Sequence, residues 1–191
     1  MAYPIAKMII PVIYGLWIRK IEGMKNIPKD KPFIIAPNHS SYFDVLLVPS
    51  IKIKRRDVKM HAWVNSYYWK SFITRIFLDM WEAIPMHVEK ETNTKKKNIA
   101  AFKQTLKYLK NNEQVMIFPE GKRSYGKLQK GYPGIARLAL KAKVPVLPVG
   151  IIGANKVMPK GKMFPRFTRC EVKIGKLMYF DKFYGKKDKN V

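Results

Sequence analysis

Three short apolar runs constrain this chain more than any other feature: Phe33-Ile34-Ile35-Ala36, Gln114-Val115-Met116-Ile117-Phe118 and Val144–Ile152. The first two each end at a proline followed by polar residues, the pattern of a buried strand that delivers a loop to the edge of a sheet. The third carries Pro145 and Pro148, which argue for an edge or bulged position. Between the strands the apolar period changes to that of a helix. Ile99, Phe102, Leu106 and Leu109 share one face, with Lys103, Lys107 and Lys110 elsewhere, and Asn111-Asn112 ends the segment. A second helix spans about 134–142, with Ile135, Leu138 and Ala139 on its buried side. Further strands are expected over Val58–Trp63 and Glu171–Gly175. Strands alternating with amphipathic helices predict an α/β fold: a single domain with a central, mainly parallel (mixed) sheet flanked by helices on both faces. The loops after Ala36 and Phe118 then converge at one edge, where α/β proteins place their chemistry.

The first of these loops is Asn38-His39-Ser40-Ser41-Tyr42-Phe43-Asp44. A neutral imidazole can take a proton from an alcohol near neutral pH if a partner fixes its tautomer and steadies the cation. Asp44 is the candidate partner for His39. Five positions apart, the two would sit off a common helical face, so the chain must turn between them. Ser40 or Ser41 then caps a helix through Tyr42–Val48. The plainer reading is a loop histidine and a first-turn acid favoured by the helix dipole. In the second loop, Phe118-Pro119-Glu120-Gly121-Lys122-Arg123-Ser124, Pro119 and Gly121 shape the backbone so that Glu120 and Arg123 face a ligand. Arg123 offers a planar fork suited to phosphate, Lys122 adds a second positive charge, and Glu120 can hold an acceptor hydroxyl. The alternative is a turn with a surface Glu-Arg pair of little worth.

With 191 residues, the chain has room for one substantial core. Its 38 Lys and Arg against 13 Asp and Glu leave a formal net charge of +25, which attracts polyanions: nucleic acid, an anionic bilayer, a phosphorylated cofactor or an acidic carrier protein. The single cysteine, Cys170, excludes an internal disulfide framework and reads as a small buried hydrophobe. His61 and His87 lack ligand-like spacing and read as ordinary polar contacts, so no metal site is expected. Met8–Ile18 is uncharged, with Lys7 before it and Arg19-Lys20 after it. As a helix its 11 residues rise roughly 16 Å, about half a hydrocarbon core of roughly 30 Å, so the segment cannot span. It reads as an interfacial helix, with Tyr14 and Trp17 at headgroup depth, or as a core helix kinked at Pro11. Tyr68, Phe72, Ile76 and Met80 have helical spacing and predict a helix that packs in the core or faces an apolar ligand. Lys52, Lys54, Arg55 and Arg56 form a basic cluster.

Taken together, the N-H-x4-D block at Asn38–Asp44, the F-P-E-G-x-R-S block at Phe118–Ser124 and the V-P-V-x-P-V block at Val144–Val149 resemble the glycerolipid acyltransferase family, 1-acylglycerol-3-phosphate acyltransferase type. The similarity runs from about Gly23 to Phe180. It implies acyl transfer from acyl-CoA or acyl carrier protein to the free hydroxyl of lysophosphatidic acid, with His39 as general base and Asp44 beside it. Asn38, Glu120, Gly121, Lys122, Arg123, Ser124 and Lys130 are the implied substrate-binding residues. The prolines of the third run then suit a wall lining an acyl channel. No metal or tightly bound cofactor is implied. The implied partners are the bilayer, a lysophospholipid and an acyl thioester, with the protein on the cytoplasmic face of a membrane.

Two departures stand out. Lys122 occupies a place where the family more often has threonine, and Ala83-Ile84-Pro85-Met86-His87 runs into Val88 where the family usually has a phosphate-gripping arginine. Lys90 or Lys95-Lys96-Lys97 substitutes for that arginine, or the acceptor is a different lysolipid or alcohol. The expected division is a membrane-associating segment over 1–22, the acyltransferase domain over 23–184 and a disordered basic tail over 185–191. A serine hydrolase would need a G-x-S-x-G elbow, which is absent. A basic nucleic-acid or membrane-binding module without catalysis remains the rival from another class.

Overall fold

The computed structural model describes residues 4–55, 58–87, 92–124, 126–162 and 164–184. In chain order the elements are α1 (Pro4–Trp17), β1 (Ile18–Glu22), β2 (Ile34–Pro37), α2 (Asp44–Arg55), β3 (Met60–Asn65), α3 (Phe72–Met80), β4 (Ile84–Met86), α4 (Thr94–Lys110), β5 (Gln114–Met116), α5 (Gly134–Ala142), β6 (Val146–Ile152), α6 (Ala154–Val157) and β7 (Cys170–Ile174). The strands form one seven-stranded sheet in the order β1-β7-β6-β2-β5-β3-β4. From β6 to β4 every neighbouring pair is parallel. β7 runs antiparallel to β6, and β1 pairs parallel with β7, so the sheet is mixed.

Alternation along the central strands divides the core in two. Ile35, Met116 and Leu147 point to the face covered by α2, where Leu47, Val48 and Ile51 are buried. Ile34, Val115 and Val146 point to the opposite face, against Leu109 of α4 and Leu138 and Ala139 of α5. Strands buried on both faces have to read as continuous apolar runs, which is why these three were visible in sequence. The chain leaves β2 over α2 towards β3 on one side, and leaves β5 over α5 towards β6 on the other. The crevice beyond the carboxyl ends of β2 and β5 is therefore a topological switch point.

Several expectations need correction. Ile18–Glu22, expected in the N-terminal membrane-associating segment 1–22, is a strand paired with β7 over Ile18–Glu22 and Cys170–Lys173. Adjacent exposed Arg19 and Lys20, where the register with β7 shifts, leave it without the alternation that marks a strand in sequence. β6 is central rather than at an edge. It tolerates Pro148 through a bulge: Val146 bridges Met178 while Val149 pairs with Ile174, and Gly175 N–H donates to the Pro148 carbonyl at 2.9 Å. The helix predicted over Tyr42–Val48 starts at Asp44 and continues to Arg55, and the expected 58–63 strand lies over Met60–Asn65. No residue of α3 is buried, so the core-helix alternative for Phe72, Ile76 and Met80 does not hold.

In α1, Ile13 is buried against the sheet's α2 face, whereas Met8 is 78% exposed and Val12 and Leu16 are also exposed. Among the described residues no helix is long and apolar enough to cross a membrane. The tail 185–191, Val88, Lys90, Arg56 and the side chains of Lys52, Lys54 and Arg55 lie outside the described residues.

β1 hands over to the following turn at Gly23, whose φ is +77° and where a Cβ would collide with the carbonyl oxygen of Ile174. Gly23→Ala is expected to destabilise the fold by about 1–3 kcal/mol, read as a lower urea midpoint.

Candidate active site

Because β2 and β5 are parallel neighbours, their following loops leave the sheet side by side. Main-chain bonds then join them. Glu120 Oε1 accepts the His39 N–H at 3.0 Å, while Ser124 donates both its N–H (2.7 Å) and its Oγ–H (3.0 Å) to the His39 carbonyl. The His39 ring stacks on Phe118, with centroids 3.9 Å apart and planes 19° apart.

The ring is also held at one edge. Nδ1 lies 3.1 Å from Asp44 Oδ2, and the Asp44 side chain is fully buried. The same oxygen accepts the N–H groups of Ser40 (2.7 Å) and Ser41 (2.8 Å). Asp44 is thus the first residue of α2 and the acceptor for the turn that leads into it, a placement the helix dipole favours. Ser41 does not cap α2 as expected, because the helix starts at Asp44; its Oγ accepts the Phe43 N–H at 3.1 Å within the preceding turn and donates to the Met158 carbonyl at 2.8 Å. With an N–H at Nδ1 given to the carboxylate, Nε2 is the nitrogen left able to accept a proton.

Arg123 reaches the same loop from the other side. Its guanidinium lies over the Tyr42 ring, 3.5 Å from the centroid, and Tyr42 Oη is 2.9 Å from Tyr68 Oη. Burial and the Tyr42 hydroxyl push the Tyr68 phenol up to about 12, so Tyr68 stays protonated. Stacking holds the plane of the guanidinium against the Tyr42 ring.

Three predicted ligand contacts have different roles. Glu120 is 2% exposed, and its second oxygen accepts the Gln129 N–H at 3.1 Å, so it braces two loops. Asn38 pairs its side-chain amide with the backbone of β6, donating to the Ile151 carbonyl at 3.0 Å and accepting its N–H at 2.6 Å. An amide side chain carries the same donor and acceptor as a peptide, so it extends the β2–β6 ladder past the end of β2. Ser124 is engaged with the His39 carbonyl. Gly121 adopts φ +63°, and Lys122 and Lys130 are exposed on the same loop. Sequence reasoning passed over Phe118 and Tyr42 as site residues. An aromatic inside each loop motif was the available signal.

An open groove of about 730 Å³ begins at this edge, lined by Pro37, Asn38, Glu120, Gln129, Pro148 and Gly150 among others. It runs over β6 and β7 where Pro148, Gly150 and Gly175 present little side-chain bulk. Elsewhere, Cys170 is buried, donates Sγ–H to the Trp17 carbonyl at 3.2 Å, and has its thiol pushed up to about 11 by burial, which makes it a poor nucleophile. His61 stacks on Tyr108 and places its ring nitrogens 3.0 Å from the Glu82 carbonyl and 2.8 Å from Glu113 Oε2.

The acyltransferase family model matches residues 18–152, from β1 through β6 and across both site loops. The chain belongs to the acyltransferase family. Among curated members it is 28% identical over 154 residues to a chloroplast 1-acyl-sn-glycerol-3-phosphate acyltransferase of Brassica napus, covering 78% of this chain and 41% of that protein. It is 26% identical over 172 residues to the alpha 1-acyl-sn-glycerol-3-phosphate acyltransferase of Mus musculus, covering 85% of this chain and 55% of that protein. The chain therefore spans roughly half the length of the curated relatives it matches. The crystal structure of the 1-acyl-sn-glycerophosphate acyltransferase from Thermotoga maritima superposes with a TM-score of 0.67 at 24% identity, over 97% of this chain and 74% of that one, and shares the fold.

In this member of the family the bracing role of Glu120 is directly measurable. Glu120→Ala leaves the N–H groups of His39 and Gln129 without their acceptor, and a stability loss of about 1–3 kcal/mol is expected in chemical denaturation.

Proposed function

We propose that the protein transfers a fatty acyl group from a thioester, acyl-CoA or acyl carrier protein, to the free hydroxyl of lysophosphatidic acid. The observation that carries this reading is the buried Asp44 carboxylate on Nδ1 of His39, with Arg123 stacked above the same loop. Family membership and relatives named as 1-acyl-sn-glycerol-3-phosphate acyltransferases support it.

In the proposed step, Nε2 of His39 removes the proton of the acceptor hydroxyl as its oxygen attacks the thioester carbonyl. Asp44 steadies the imidazolium that forms. The C–S bond then breaks, and the departing thiolate recovers the proton from His39. No covalent enzyme intermediate is required. Arg123, held flat by Tyr42, grips the acceptor's phosphate through paired N–H donors. The acyl chain occupies the groove over β6 and β7. Exposed Lys122 and Lys130 draw the anionic donor and acceptor towards the mouth. The acceptor arrives from a bilayer on which the apolar side of α1 rests.

Thiol release with acyl-CoA and lysophosphatidic acid tests the reading. His39→Ala is expected to lower kcat by roughly 10²–10⁴ with little change in acceptor KM. Wild-type turnover by that variant would remove His39 as the base. Arg123→Ala is expected to raise acceptor KM by about tenfold to a hundredfold for a phosphorylated acceptor, with a much smaller effect on a lysolipid lacking a terminal phosphate. A panel of lysolipid acceptors on the wild-type protein then decides the acceptor class.

A further inference from the structure

The helix α3 has the sequence Phe-Ile-Thr-Arg-Ile-Phe-Leu-Asp-Met, and none of its residues is buried. Phe72 is 77% exposed and Ile73 79%, and Ile76, Phe77 and Met80 are exposed with them. A nine-residue helix gains most of its stability by burying its apolar face, and here no residue of the helix is buried among the described residues. Single exposed hydrophobes are ordinary; a contiguous set on one helix marks a contact surface. A second bare apolar feature is the turn carrying Phe164 and Phe167, 81% and 87% exposed, with exposed Lys162, Arg166 and Arg169 around them.

Both features are tied to the His39 loop. Tyr68, in the turn that leads into α3, bonds Tyr42. The turn with Phe164 and Phe167 begins after Met158, whose carbonyl accepts from Ser41, and the Arg166 carbonyl accepts Trp17 Nε1–H at 3.0 Å. Trp17 in turn packs edge-on against Phe43, with centroids 5.7 Å apart. α1, α3 and this turn are therefore anchored to consecutive residues of one loop, Ser41, Tyr42 and Phe43.

We propose that α3 and the Phe164–Phe167 turn are lipid-contact surfaces which, together with α1, seat the catalytic loop against an anionic bilayer. Charge selects this occupant. A net charge of +25 repels a second copy of the chain and attracts an anionic surface. The acid on α3, Asp79, is held by Arg75 at 3.5 Å and by Trp69 Nε1–H at 2.8 Å, which offsets its charge where the helix would meet lipid. Aromatic side chains interleaved with Lys and Arg suit headgroup depth. The inference rests on the bilayer association proposed above for α1, and the test separates the two.

Cys170 is buried, so a cysteine introduced on the surface is the one that takes a thiol-reactive, polarity-sensitive fluorophore. In the full chain the dye is placed at Ile73→Cys on α3, Phe167→Cys on the turn, Val12→Cys on α1 and Lys103→Cys on α4. Each is titrated with vesicles of phosphatidylcholine alone or mixed with phosphatidylglycerol. Blue shifts at positions 73, 167 and 12 with the anionic vesicles, and none at 103, are expected. A shift at 12 without one at 73 overturns the α3 surface and leaves α1 as the contact. No shift at 12, 73 or 167 overturns the bilayer reading as a whole. A shift at 73 that grows with protein concentration and needs no vesicles assigns the face to self-association instead. As an independent check, the quadruple variant Ile73→Ser, Phe77→Ser, Phe164→Ser, Phe167→Ser is expected to bind anionic vesicles roughly tenfold or more weakly. Its circular dichroism should match wild type, and turnover of a short-chain acceptor below its micelle threshold should persist. Unchanged vesicle affinity in this variant overturns the proposal.

Discussion

The whole arrangement depends on how completely one residue is immobilised. The backbone N–H of His39 is given to Glu120, its carbonyl is taken by Ser124, its ring lies flat on Phe118, and its Nδ1 faces Asp44. Three of these four partners come from the loop after β5, about eighty residues along the chain. The base proposed above has to meet its proton within hydrogen-bonding reach, and holding the main chain of His39 as well as its ring restricts where Nε2 points. β2 and β5 can supply these contacts because they are parallel neighbours on which the chain reverses its winding direction.

Asp44 links that chemistry to the fold. A buried carboxylate is costly unless donors surround it, and here Ser40 N–H, Ser41 N–H and the imidazole all point at Oδ2. The two backbone donors would be present in any helix-start turn of this shape. The histidine joins a carboxylate that the helix terminus already favours. Building α2 and orienting the imidazole are thus a single local event. Burial of Phe43 and Leu47 beneath the same turn then secures it to the sheet.

The periphery follows a different logic. Glu120 and Asn38, polar residues within the most motif-like stretches of the chain, are used inwards, as replacements for peptide groups and braces between loops. Groups able to meet a charged ligand are Arg123, stacked on Tyr42, and the exposed Lys122 and Lys130. Among the described residues, apolar side chains of α1, α3 and the 164–167 turn are exposed, and the chain carries a large positive charge. These two properties together distinguish this surface from an ordinary solvated one.

Local pattern was enough for the α/β class, the central strands β2, β5 and β6, helices α4 and α5, and the pairing of His39 with Asp44. Each of these depends on short-range periodicity, on the sign of a side chain or on residues within one turn. β1 escaped notice because its exposed Arg19 and Lys20 hide a strand that only pairing with β7 makes necessary. The prolines of β6 left an edge or a bulged position open, and only pairing with a distant segment makes it the bulged one. Whether Glu120 looks outward at a ligand or inward at His39, and whether the apolar face of α3 is covered, likewise depend on which segments meet across the sheet. The sequence by itself therefore determined which residues could carry the chemistry. Tertiary structure alone decided which of them hold the site together, because a hydrogen bond or a buried face needs a partner that local pattern does not name.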